Sequence, residues 1–84
     1  MAVTTPATDI ELMQRVSNFD SKALEALYNR YSPILYTMIK KIVNEKDTAE
    51  DILADVFAII WKKAAKFDFN TGAVYTWLIT LTHN

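Results

Sequence analysis

Asp51 and Asp55 are the pair of side chains in this sequence whose type and spacing come closest to a chemical site. Residues four positions apart lie on the same face of a helix, so the two carboxylates would stand side by side. Two acids in that arrangement could bind a metal ion or act as an acid–base pair. No histidine accompanies them, so the sequence predicts neither a metal site nor a cofactor.

Ala54 and Ala58 lie beside the two acids and away from the apolar residues of the same helix. The four residues form a flat, acidic surface of small side chains, which we call the acidic face. One interpretation is an ordinary solvated helix surface. The other is a docking surface, because small side chains let a partner helix approach and carboxylates can pair with its arginines.

Groups for covalent or acid–base catalysis are scarce in the rest of the chain. His83 is the one histidine and lies in the last predicted helical turn, where a surface side chain is the common case. No serine, threonine or cysteine has an evident base partner, and no glycine-rich phosphate loop occurs. The sequence therefore does not predict an enzyme.

Composition narrows the class of protein further. The chain has 84 residues, of which 51% are hydrophobic, one is glycine and two are proline, so long helices with short joints are expected. The absence of cysteine suits a reducing cytoplasm. No signal peptide or membrane-spanning run is present, and a net charge of −1 gives no general attraction to nucleic acid.

The organising element is a helix predicted over Asp47–Phe67. Asp47 is a suitable N-cap, and Glu50 completes a variant of the capping box. The apolar residues follow the spacing of one buried helix face. They are Ile52, Leu53, Val56, Phe57, Ile60, Trp61 and Ala64.

Shorter helices are predicted on either side. Residues 1–7 form a polar tail that we expect to be disordered. Thr8 and Glu11 have capping-box spacing and begin a helix that ends near residues 18–20. A last helix starts within residues 71–73. Its expected inner residues are Val74, Trp77, Leu78 and Leu81, and the others, Ile79 among them, are expected to face elsewhere.

The second helix begins at Asp20 or Ser21 and runs to residue 43 or 44 with Pro33 inside it. Its apolar stripe passes through the proline in phase, which favours one kinked helix over two separate helices. The expected stripe is Leu24, Leu27, Tyr28, Tyr31, Leu35, Met38, Ile39 and Ile42. The sequence thus predicts an all-α fold, a small orthogonal or antiparallel bundle of four helices.

Residues 68–72 hold the only glycine and are predicted to form a loop. Phe69 is unusual in this polar stretch. Its ring either packs onto the core or awaits a ligand, and both alternatives stay open at this point.

In order, these features resemble region 2 of bacterial sigma factors of the extracytoplasmic-function group. Residues 23–31, ALEALYNRY, are similar to that family's A-F-x-x-L-Y-x-R-Y opening, and residues 47–57 to its D-A-E-D-L-V-Q-E-V-F core. The remaining similar positions follow in the family's order. They are Trp61, Phe67–Asp68, Gly72 and residues 75–78. The resemblance spans about residues 9–84.

The resemblance implies a function in transcription. Sigma factors bind core RNA polymerase, recognise promoter DNA and help to open it. The helix similar to residues 47–67 docks on the clamp helices of the polymerase β′ subunit, which implies that Asp51, Ala54, Asp55 and Ala58 contact polymerase. The loop and last helix hold a flipped base of the −10 non-template strand. The matching positions are Asp68, Phe69, Asn70, Tyr75 and Asn84.

The sequence departs from the family at several points. Ala54 stands where glutamine is common, and His83 stands where arginine is frequent. The family's last helix continues past Asn84, and its region 4 is absent, so residues 8–84 are expected to be a truncated region 2 domain. An anti-sigma factor is a further candidate partner. The alternative function is a helical interaction or adaptor module that does not bind DNA.

Overall fold

The computed structural model describes residues 6–83. For His83 it describes the backbone alone. Four α-helices follow one another: α1 (Asp9–Ser17), α2 (Ser21–Val43), α3 (Lys46–Lys63) and α4 (Val74–His83). A 3₁₀ turn, Ala64–Lys66, extends α3. Since residues 6–83 contain no strand, the predicted all-α bundle of four helices is confirmed. Most of the predicted tail, residues 1–5, lies outside the described residues.

The first two helices begin as the sequence predicts. The Thr8 hydroxyl accepts from the Glu11 N–H at 3.2 Å, and the Glu11 carboxylate accepts from the Thr8 N–H at 3.2 Å, which closes the capping box. The Asp20 carboxylate caps α2 by accepting from the N–H groups of Lys22 and Ala23. These bonds satisfy N–H groups that have no partner inside the helix.

The predicted start of α3 is wrong. Glu45, not Asp47, is the N-cap, and its carboxylate accepts from the N–H groups of Asp47 at 2.9 Å and Thr48 at 2.7 Å. The cause lies one residue earlier, where Asn44 takes a left-handed φ of 53° and ends α2. Glu45, the next residue, has an extended backbone and takes the N-cap position. α3 therefore begins at Lys46, and Asp47 lies inside the helix.

α2 is one continuous helix through Pro33, which excludes the alternative of two helices. Tyr31, Leu35 and Ile39 are buried on successive turns around the proline. Two residues of the predicted stripe are exceptions, because Tyr28 is 41% exposed and Ile42 is 62% exposed.

The core lies between α2 and α3, with α1 and α4 packed across it. Leu53, Val56, Phe57 and Ile60 supply the α3 side of the core, and Val74 and Leu78 supply the α4 side. Ile79 also packs against the core, so the prediction that it faces elsewhere is wrong. Within residues 6–83, none of the helices combines the length and the apolar composition that spanning a bilayer requires.

Candidate functional site

The acidic face is exposed along its whole length. Asp51, Ala54, Asp55 and Ala58 all face solvent on α3, opposite the buried residues of the same helix. From the first to the last of them the helix rises about 10 Å. Leu53, Val56 and Ile60 are packed in the core, and this packing fixes the orientation of α3 about its axis. The acidic face is therefore held toward solvent.

An apolar groove borders the acidic face where α2 passes α3. Leu24, Phe57, Ala58 and Trp61 line an open cavity of about 380 Å³, and Ala58 belongs to both surfaces. Tyr28 lines a second cavity of about 250 Å³ that shares Leu24 and Phe57 with this groove. Its ring packs edge-on against Phe57, with ring centroids 4.9 Å apart. Sequence reasoning missed this groove, although Leu24 and Tyr28 lie one helical turn apart and pointed to a shared apolar surface.

Phe19 extends the apolar surface past Trp61. Its side chain is 72% exposed, and its ring packs edge-on against the Trp61 ring at 5.7 Å. Its backbone φ of 63° is rare for a bulky residue and carries strain. The joint between α1 and α2 therefore holds an aromatic ring at the surface.

The 68–72 loop is shaped by its own polar groups. The Asp68 carboxylate accepts from the Asn70 N–H at 3.0 Å, and the Thr71 hydroxyl donates to the Asp68 carbonyl at 2.9 Å. Gly72 takes a left-handed φ of 64° just before α4 begins. Asp68 thus stabilises the loop conformation by accepting these two hydrogen bonds. The Asn70 side chain is exposed.

Phe69 packs onto the core, the first of the two alternatives left open by the sequence. Its half-buried ring meets the buried Phe67 ring edge-on at 5.0 Å, and Phe67 in turn meets Trp77 at 5.5 Å. Part of the Phe69 side chain stays accessible to solvent.

Tyr75 lies in the first turn of α4 and is 49% exposed. Its ring is 6.0 Å from the Tyr31 ring of α2, tilted by 32°. The structure therefore places Tyr75 on the helix that follows the loop, packed against α2. Asn84, the last of the predicted DNA contacts, lies outside the described residues.

A polar cluster around Asp9 joins α1 to α2. The Tyr31 hydroxyl donates to one oxygen of the Asp9 carboxylate. Arg30 donates to the other oxygen at 2.7 Å, and its second nitrogen donates to the Ala7 carbonyl at 2.9 Å. Burial and then the Asp9 carboxylate raise the pKa of Tyr31 from its ordinary value of 10.0 to about 12, so its hydroxyl still donates to Asp9 at a pH where an exposed tyrosine has ionised. The hydrogen-bonded residues of this cluster are more than 20 positions apart in the sequence. No local sequence pattern therefore predicted the cluster.

Comparison with known proteins gives a consistent assignment. The sigma-70 region 2 family model matches residues 27–84. An ECF RNA polymerase sigma factor SigK of Mycobacterium sp. (strain KMS) is 30% identical over 77 residues, which cover 90% of this chain and 40% of the relative. SigK of Mycolicibacterium vanbaalenii is 29% identical over 72 residues, covering 86% of this chain and 37% of the relative. SigK of Mycobacterium tuberculosis (strain ATCC 25177 / H37Ra) is 24% identical over 72 residues, covering 86% and 38%.

The chain thus spans about two-fifths of the length of these curated relatives. No solved structure matches it. The family model covers well over half of the chain, and the relatives carry the name of the group that the sequence resembles. The resemblance is confirmed, and the chain belongs to the sigma-70 region 2 family, as a domain of the extracytoplasmic-function type.

Proposed function

We propose that residues 8–84 dock on the β′ clamp helices of core RNA polymerase and help to recognise and melt the promoter −10 element. The chain itself would catalyse no reaction, and it would act in the bacterial cytoplasm, where polymerase meets DNA. The observation that carries the docking proposal is the exposure of the acidic face on a helix whose other side is locked in the core.

The chemistry of the acidic face fits a basic helical partner. Ala54 and Ala58 are small enough for a second helix to lie close, and Asp51 and Asp55 can accept hydrogen bonds from arginine side chains. The adjoining groove of Leu24, Phe57 and Trp61 offers apolar area beside the charges. A central apolar patch with a charged rim is the usual composition of a specific interface. An anti-sigma factor stays a candidate partner from the resemblance.

The DNA proposal concerns a single strand. A domain with a net charge of −1 has little electrostatic means of holding duplex phosphates by itself. Exposed aromatic rings and amides suit unpaired bases, which offer a face for stacking and an edge for hydrogen bonds. Tyr75 supplies such a ring and Asn70 supplies an amide. Asp68 and Phe69 shape the loop that carries Asn70. Asn84 stays a candidate from the resemblance.

The test of docking is charge reversal on the acidic face. Asp51→Lys with Asp55→Lys should abolish binding to core polymerase, since it replaces attraction by repulsion. The helical circular dichroism should be unchanged because both residues are exposed. Asp51→Asn with Asp55→Asn removes the attraction alone and should weaken binding less.

A control adds a lysine elsewhere. Gln14→Lys changes an exposed residue of α1 and should bind polymerase like the wild type. If the double lysine variant binds polymerase like the wild type, the acidic face is an ordinary solvated surface. That result would favour the alternative function, an adaptor module that does not bind DNA.

A further inference from the structure

We propose that Tyr31 is a positioning residue for Tyr75, and that the hydrogen bond from Tyr31 to Asp9, whose carboxylate Arg30 also binds, sets the orientation in which the Tyr75 ring meets an unpaired base. This inference rests on the proposed DNA contact of Tyr75. Tyr31 itself is only 8% exposed, whereas Tyr75, whose ring centroid lies 6.0 Å away, is 49% exposed.

The first step of the argument is that the Tyr31 ring is held at both ends. Its backbone is in the middle of a 23-residue helix, and its hydroxyl donates to Asp9 in the first turn of α1. Arg30 holds the second oxygen of the same carboxylate and also binds the Ala7 carbonyl. The Asp9 carboxylate lies at the N-terminal end of α1, where the helix dipole favours negative charge.

The second step is that Tyr75 needs such a support. It lies in the first turn of a ten-residue helix, directly after the loop, and half of its side chain is open to solvent. The Phe67 ring packs against both Phe69 and Trp77, whereas the aromatic partner of Tyr75 among the described residues is Tyr31. A ring that must stack on a base loses less conformational entropy on binding when it is already ordered.

The third step is that the support is specific to tyrosine. Leucine at position 31 would fill part of the same space but would lose both the ring face and the bond to Asp9. Phenylalanine would keep the ring and lose only the bond. The two substitutions therefore separate the stacking contact from its anchoring.

The test is a double-mutant cycle in the reconstituted polymerase holoenzyme containing this domain. The readout is the fraction of promoter complexes that open, measured by the chemical reactivity of unpaired thymines at the −10 element. We expect Tyr31→Leu to lower opening about 2- to 10-fold, the range that one aromatic pair contributes, and Tyr31→Phe to lower it less. In a Tyr75→Ala background, Tyr31→Leu should have no additional effect.

A control distinguishes positioning from general loss of stability. Ile39→Ala removes another buried side chain of α2, two turns from Tyr31, and its effect on opening should be the same with and without Tyr75→Ala. If Tyr31→Leu does not fold, Tyr31→Phe takes its place in the cycle.

Two results would overturn the inference in different ways. Equal effects of the Tyr31 substitution in both backgrounds would refute positioning and leave the DNA contact of Tyr75 standing. Normal opening by Tyr75→Ala alone would remove both the positioning role and the proposed contact.

Discussion

The acidic face and the 68–72 loop with Tyr75 are built in contrasting ways. The acidic face is one side of α3, and its orientation follows from core residues on the other side of the same helix. The loop is held by short-range bonds from Asp68 and Thr71, and Tyr75 leans on a residue of another helix. The proposed docking surface thus lies on a single helix, whereas the proposed base-binding surface combines a loop, α4 and α2.

The largest expected effect comes from removing the core support of the acidic face. Phe57→Ala should lower the free energy of unfolding by about 3–5 kcal/mol, because the ring is buried and packs on Tyr28. Phe69→Ala is the matched control in the loop, where a half-buried ring should cost clearly less. Chemical denaturation measures both, and equal losses would contradict the contrast between the two regions.

A smaller effect is expected from the polar scaffold of the loop. Asp68→Ala removes the acceptor for the Asn70 N–H and should cost about 1 kcal/mol of stability, with a larger proportional loss in promoter opening. Asp68→Asn keeps an acceptor oxygen and should restore most of the opening. Failure of asparagine to restore it would mean that the charge of Asp68, rather than the loop geometry, matters.

The smallest effect concerns the start of α3 and its pH dependence. Hydrogen bonds from Thr48 and from the Asp47 N–H lower the pKa of Glu45 below its ordinary value of 4.5. A carboxylate with a lowered pKa stabilises the fold above its unfolded pKa, and that contribution disappears as the pH falls through the folded value. Melting temperatures of the wild type should therefore drop below about pH 4.5 more than those of Glu45→Gln. Parallel curves for the two proteins would contradict the capping role.

Sequence reasoning succeeded where the determining signal is local. The capping box of Thr8 and Glu11, the cap at Asp20 and the phase of the buried α3 residues all depend on neighbours within a few positions. The same phase placed the acidic face on the exposed side of α3. The N-cap of α3 was misplaced because aspartate is preferred over glutamate at that position by residue type, whereas the left-handed turn at Asn44 puts Glu45 there.

The features that the sequence did not predict depend on contacts between distant parts of the chain. The Asp9–Tyr31 bond joins residues 22 positions apart, and the groove beside the acidic face requires the relative placement of α2 and α3. Tyr28 was assigned to the core because its spacing fits the buried stripe, but the gap between the helices leaves it 41% exposed. The assignment of loop residues to DNA came from the resemblance alone.

The most direct test of the docking account is a cross-link from the acidic face to polymerase. The chain contains no cysteine, so Ala54→Cys introduces a single thiol that can carry a photoactivatable cross-linker. Gln14→Cys, on the exposed side of α1, is the matched control. The account predicts that, in the presence of core polymerase, Ala54→Cys yields an adduct with the clamp helices of β′ and Gln14→Cys does not. Equal labelling from both positions, or an adduct from Gln14→Cys alone, would contradict it.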